Sequence, residues 1–217
     1  KTRTVDLYPD AVRIRRQLHR MPEPCFQENE TSRFIADYLR ELGLEVETGI
    51  GGTGIKAILR GTKDKPVVGI RADMDALPIP EETGLPFSSA NEGFMHACGH
   101  DGHMTYALIA AQVLSGMKDQ IPGTIVFLFQ PCEEGTSDGT PSGAQTMIDA
   151  GALENPKIDI MLGLHGMPGK TGSVSFREGP LMANVAFMNI TIRGKSSHGA
   201  APHQGIDAIY ASATAIL

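Results

Sequence analysis

Two nearly unbroken apolar runs, "PVVGI" at 66–70 and "TIVFLF" at 124–129, set the tightest limit on the fold. A strand with one wet face alternates apolar and polar side chains. A run without alternation needs cover on both faces of its sheet. Between the runs lies "HMTYALIAAQVLSGM", whose apolar spacing predicts a helix over about 103–117. Strands are expected over about 54–60, 66–72, 123–130 and 158–164. Helices are expected over about 9–21 and 142–150, and in "TSRFIADYLRELGLEVE", with Thr31 as N-cap and Gly43 as the left-handed residue after the end. Strands alternating with helices imply an α/β fold, a mixed and largely parallel sheet flanked by helices. After "REGPLMAN" the texture changes: "VAFMNITIRGK" (185–195) alternates like a half-exposed strand, and "GIDAIYASATAIL" reads as a helix. A boundary near 180–183 divides a first domain, 1–181, from the beginning of a second, 182–217.

A chain of 217 residues can bury a sizeable core. The net charge of −6, without any Lys/Arg run, argues against nucleic acid as a partner. The longest apolar runs are too short to span a bilayer, and the N-terminus has no apolar signal region, so no membrane association is expected. Cys25, Cys98 and Cys132 form neither an even disulfide framework nor a C-x-x-C motif. A reducing, cytoplasmic compartment is the simpler reading, with Cys25 and Cys132 structural. The chain starts on Lys and stops inside a helical stretch, so it reads as part of something longer.

The polar residues fall where strands end. The second apolar strand runs out into "ADMDALP", with Asp73 and Asp75; the third into "PCEEG", with Glu133 and Glu134; the fourth into His165. In open α/β sheets, ligands bind at the carboxyl ends of strands. "MHACGHDGHM" (95–104) precedes a helix and reaches the same edge with His96, Cys98, His100, Asp101 and His103. Gly99 lets the backbone bend so that Cys98 and His100 turn toward one point. A thiolate, two imidazoles and a carboxylate suit zinc or a related divalent metal. Glu133 and Glu134 are adjacent and should diverge, one holding metal while the other reaches a bound water as general base.

Singly, each of these residues has a plainer role. Cys98 alone is an inert buried thiol, His165 alone a loop histidine, and a Glu-Glu pair a solvated surface feature. His96 and His103 read as hydrogen-bonded supports, and Asp73 as a turn cap. Convergence on strand ends is what lifts the joint reading. Two decoys fall away. "GIGGTG" (49–54) matches a dinucleotide motif but precedes a strand pattern rather than a helix, and is expected to be a turn. "GLHGMPGKT" (163–171) is out of register for a phosphate loop and is followed by the strand-like "GSVSF".

"RADMDALPI", "HACGHDGHM", "FQPCEEG", "GLHGMPG" and "GKSSHGAAPHQGIDAI" occur in one order, with "LHRMPEPCFQENET" ahead of them. With these motifs the whole chain resembles the aminoacylase/hippurate-hydrolase branch of the dinuclear zinc carboxypeptidase–aminoacylase superfamily. The resemblance implies a zinc-peptidase-like α/β domain with an inserted α+β lid that mediates a homodimer. It implies two divalent ions per site, zinc foremost, with manganese, cobalt or nickel admitted. Cys98, His100, Glu134 and His165 would be metal ligands and Glu133 the general base. Asp75 matches the aspartate that orients the metal site. His198 matches a lid histidine that reaches the partner subunit's active site and stabilises the oxyanion. Asp73 stands where relatives with a His-x-Asp pair have His, and is not carried over as a ligand. The implied substrates are small N-acyl amino acids (hippurate-, N-acetyl- or auxin-conjugate-like) or small peptides, cleaved at the amide. Family members run well past this length and draw a further metal-binding histidine, the rest of the lid and the last strands from the part beyond residue 217. Two alternatives stand beside this reading: an inactive or non-catalytic fragment of the same fold, and a hydrolase using Cys98 as nucleophile.

Overall fold

In the computed structural model, which describes residues 4–136, 138–184, 186 and 188–217, the two apolar runs lie side by side at the centre of one sheet. The strands are β1 (Glu45–Ile50), β2 (Gly54–Arg60), β3 (Val67–Asp73), β4 (Thr124–Gln130) and β5 (Ile160–Gly163), in the order β1-β2-β4-β3-β5. β3 and β4 pair in parallel from Val67↔Thr124 to Asp73↔Gln130, and β3 also pairs in parallel with β5. The other two pairings, β1 with β2 and β2 with β4, are antiparallel. The sheet is therefore mixed, and its parallel part carries the polar motifs. β3, β4 and β5 all end on the same edge.

The absence of alternation in β4 has a direct cause. Ile125, Phe127 and Phe129 face one core, with Ile14 and Leu18 of α1 (Tyr8–His19), Ile35 and Leu39 of α2 (Asn29–Glu41), and Met104 and Leu108 of α3 (His100–Ser115). Val126 and Leu128 face the other, with Met147 of α4 (Gly143–Asp149) and Ala152. Every residue of β4 is buried. β5 differs: Ile160 and Leu162 are 54% and 53% exposed, although the strand is apolar.

Several boundaries moved from the expected positions. α2 begins at Asn29, because the Glu23 carboxylate accepts the amides of Glu30 (3.1 Å) and Thr31 (2.8 Å) from the preceding loop. Thr31 is thus a buried first-turn residue rather than the cap. α3 begins at His100, directly after Gly99, whose φ of 85° only glycine adopts freely. β1 was not foreseen; it has no buried residue and its Glu45, Glu47 and Thr48 give no apolar pattern. "GIGGTG" forms the turn that joins it to β2.

The cysteines correct the sequence reading. Cys25 and Cys132 form a disulfide across a sequence separation of 107, leaving only Cys98 free. Spacing gave no hint, because the partners meet only after the sheet has formed. On a chain-entropy argument, closing so long a loop contributes about 4–5 kcal/mol of stability.

Lys1–Lys170 and Thr171–Leu217 are separate compact units. In the second, α5 (Ala208–Ile216) is capped by Asp207, whose carboxylate accepts the amides of Ile209 and Tyr210. The strand expected over 185–195 includes Val185 and Phe187, which lie outside the described residues. The described remainder makes no ladder beyond the single Lys195–Ile206 bridge, and "GSVSF" makes none. A strand needs a neighbour to bond with, and one bridging residue does not supply it. Among the described residues no helix is long and apolar enough to cross a membrane.

Candidate metal centre

The parallel strands deliver their side chains as their directions require. Asp73 ends β3 and Asp75 follows it; both are buried. Cys98 and His100 flank Gly99 at the start of α3, and His165 follows β5. Donor atoms of Cys98, His100 and His165 lie within 4.8 Å of one another. So do donors of His100, Glu133 and Glu134, and of Asp73, His100 and His103. His100 belongs to all three groups, and oxygens of Asp73, Glu133 and Glu134 stand 3.8, 3.8 and 3.7 Å from its Nε2.

The two glutamates do not diverge as adjacent strand residues would. Glu133 Oε2 and Glu134 Oε1 stand 3.8 and 3.7 Å from His100 Nε2. The reason is local: Cys132 takes a left-handed φ of 45°, so the chain turns after β4 and the strand rule no longer applies.

Hydrogen bonds fix the ring tautomers. His100 Nδ1–H donates to the Asp75 carbonyl at 2.8 Å, leaving Nε2 buried and without a hydrogen-bond partner among the described residues. His165 Nδ1–H donates to the Gly166 carbonyl at 2.8 Å, and its Nε2 faces Cys98 Sγ at 3.6 Å. A metal-binding histidine normally donates its second N–H in this way. The Gly166 amide donates to His103 Nε2 at 2.8 Å, so the proton of His103 sits on Nδ1, facing Asp73 Oδ1 at 2.7 Å. Asp75 Oδ2 accepts the Glu134 amide at 3.1 Å.

The electrostatics favour a positive charge at the convergence point. Burial opposes ionisation of His100, but Asp75, Asp73 and Glu133 outweigh it and push its pKa up to about 9. Burial, then the carboxylate of Glu134, push the Cys98 thiol up to about 12. Burial, then Asp73, raise Glu133 above the usual carboxylate range. Asp73 resists burial through the His103 hydrogen bond, His100 and Arg71, and falls to about 2.

Of the expected residues, Cys98, His100, Glu133, Glu134, His165 and Asp75 come together. His198 belongs to the second unit, where its Nδ1 accepts the Ala200 amide at 3.1 Å. His96 is buried with both ring nitrogens unpartnered among the described residues, and burial holds its pKa down to about 4. Two residues escaped the sequence reading. Arg71 donates to Asp73 Oδ2 (2.6 Å) and to Gln130 Oε1 (2.9 Å); its i,i+2 spacing from Asp73 on a strand was the available signal. His19 binds Asp101 Oδ2 (2.6 Å) and Glu81 Oε1 (3.2 Å), with Arg15 also 3.0 Å from Asp101. Its place beside Leu18 on the buried face of α1 was the only clue.

A family model described as Peptidase family M20/M25/M40 matches residues 69–216. The chain is 43% identical over 203 residues to Thermostable carboxypeptidase 1 of Saccharolobus solfataricus, covering 93% of this chain and 50% of that protein. It is 42% identical over 207 residues to N-acetyl-L-cysteine deacetylase of Bacillus subtilis, covering 95% and 48%. Among solved structures, the Bacillus subtilis YXEP protein, described as a dinuclear metal binding peptidase from the M20 family, is similar with a TM-score of 0.68. That match has 39% identity over 76% of this chain and 44% of the other. The chain spans about half the length of the curated relatives it matches.

Proposed function

The chain belongs to Peptidase family M20/M25/M40, and on that premise we propose that the whole protein is a metal-dependent amidohydrolase acting on N-acyl amino acids or small peptides. One observation carries this reading: His100, whose Nε2 is buried without a hydrogen-bond partner among the described residues, is grouped with the thiol of Cys98 and the imidazole of His165 and with the carboxylates of Glu133 and Glu134. That donor set, with its excess of negative charge, fits divalent cations, and the dinuclear description of the similar YXEP protein supports two of them. Thiolate and imidazole favour zinc; the carboxylates admit manganese, cobalt or nickel.

Cys98, His100, Glu134 and His165 would hold the ions. Bound there, the ions supply Lewis acidity to an amide carbonyl and bring the ionisation of a water toward neutral pH. Glu133 would take a proton from the attacking water and return it to the leaving amine. Asp75 orients two ligands at once, His100 through its carbonyl and Glu134 through its carboxylate. Asp73 and His103 act through the Gly166 amide to fix the loop that carries His165. Oxyanion stabilisation by His198 and a homodimer through the lid complete the proposal, with the family resemblance as their support; a cytoplasmic location is added on the cysteine usage.

The 3.6 Å approach of Cys98 Sγ to His165 favours a thiol-nucleophile reading. A nucleophilic cysteine needs a lowered pKa, however, and this thiol is pushed the other way. The deciding experiment is an assay of the full-length protein on a panel of N-acyl amino acids and dipeptides, before chelation, after it, and after adding back single metals. Loss on chelation and recovery with metal is the expected result. Activity indifferent to chelators but abolished by thiol alkylation would establish the cysteine reading instead.

A further inference from the structure

We propose that Cys25 and Cys132 form a thiol–disulfide exchange site for low-molecular-weight thiols, and that its state sets how tightly the neighbouring centre holds its ions. The inference rests on the metal-centre reading above and adds a control that spacing and family resemblance do not assign.

Cys132 is the residue immediately before Glu133, and its disulfide ties that turn to the loop between α1 and α2. The turn has an unusual shape to maintain. Cys132 is left-handed at φ 45°, a conformation few non-glycine residues adopt unaided, and that shape brings Glu133 and Glu134 to the same imidazole nitrogen. Three backbone hydrogen bonds help. The Cys132 amide donates to the buried Glu28 carboxylate at 2.9 Å, the Gly143 amide to the Cys132 carbonyl at 3.0 Å, and the Glu134 amide to Asp75 at 3.1 Å. At Gly143 a Cβ would sit 1.6 Å from the Pro131 carbonyl oxygen, so the start of α4 abuts the turn. Among the described residues, the disulfide is the one covalent or hydrogen-bonding tie of the Cys132 side chain. Opening it leaves a left-handed residue held by those backbone bonds and by packing.

The two residues differ in exposure. Cys25 is half-buried and Cys132 fully buried. An incoming thiolate therefore attacks Sγ of Cys25, and the bond to Cys132 breaks. The Cys132 sulfur leaves as thiolate and takes a proton. A second small thiolate then attacks the mixed disulfide, releasing Cys25 as a thiol and one small disulfide. Two electrons pass from two small thiols to the protein disulfide; a small disulfide reverses the sequence. In the proposed cytoplasmic location, the thiol pool would set the balance between the two forms.

The test compares the metal-loaded full-length protein after treatment with glutathione disulfide and after reduction with a phosphine, which leaves no thiol to compete for metal. Release of ions to a chromogenic chelator and amide hydrogen exchange over 131–135 are followed in both states. Reduction is expected to speed ion release about tenfold, the scale on which supports of metal ligands act, and to speed exchange in the turn, with glutathione disulfide restoring both. Cys25→Ser should behave as the reduced form under either treatment. Equal release and exchange in the two states would overturn the proposal, as would slow release retained in Cys25→Ser, or Cys25 and Cys132 both found alkylated by peptide mapping after glutathione disulfide treatment and metal removal. These readouts need no turnover. A protein that hydrolyses no amide but shows the redox difference would sink the proposed activity and leave this site standing.

Discussion

The middle of β4 and the turn that follows it obey opposite rules. From Thr124 to Gln130 every side chain is buried, and the apolar ones are packed on both faces of the sheet. A few residues on, Glu134 Oε1 and the His100 Nε2 it faces are buried without hydrogen-bond partners among the described residues. Leaving such a group unsatisfied costs about 1–3 kcal/mol. The second region is therefore held by what surrounds it: the parallel ladder, the disulfide and the backbone bonds to Glu28, Asp75 and Gly143. The contrast teaches that stability and chemistry are carried by neighbouring but separate sets of residues.

Substitutions on either side of that divide should have opposite signatures. The largest effect is expected for Glu133→Gln: turnover by the full-length protein should fall about 10³-fold, within the range for removing a general base, with the unfolding midpoint unchanged. Steady-state kinetics and denaturant unfolding read the two quantities, and a loss of stability matching the loss of activity would erase the distinction. Phe127→Ala should do the reverse, costing about 3–5 kcal/mol of stability while ion affinity per folded molecule stays the same. Competition with a chelator below the unfolding transition checks it.

A third kind of region sharpens the contrast, because it is polar, buried and fully partnered. His19 has its pKa raised, mainly by the Asp101 hydrogen bond working against burial. The stability this supplies is complete below the ordinary value of 6.5 and is lost as pH rises through the higher folded value. Glu81 moves the other way. Burial would raise it, but hydrogen bonds from Thr83, the Ser89 amide and His19 lower it from 4.5 to about 2. Its contribution is complete above 4.5 and is lost as pH falls toward 2. The contribution of this pair should thus be complete between about pH 4.5 and 6.5, and the decline of unfolding free energy above 6.5 should be shallower in His19→Gln than in the wild type. The smallest effect is expected at the exposed Asp37–Arg40 pair, where Arg40→Ala should change stability by less than about 0.5 kcal/mol.

What the sequence disclosed followed the same divide. Long-wavelength features were legible: the two-sided burial of β3 and β4, the helix between them, and the placing of Asp75, Glu133, Glu134 and His165 after strand ends. Features that depend on tertiary proximity were not. The Cys25–Cys132 bond, the capping of α2 by Glu23 and the His19–Asp101 contact each join residues that only the finished fold brings together. β1 was missed because an edge strand with polar side chains needs no apolar pattern. The convergence of Glu133 and Glu134 was misread because one left-handed residue overrides strand alternation.

The reading stands or falls on whether Cys98, His100, Glu134 and His165 share bound cations. Elemental analysis of the full-length protein, with chelator-competition affinities for wild type, Cys98→Ala and His165→Ala, measures this without any assumption about substrate. Two divalent ions per chain in the wild type are expected, by likeness to the dinuclear YXEP protein, with weakened or lost binding in each variant. A wild type free of metal, or variants that hold the same ions with the same affinity, would contradict it.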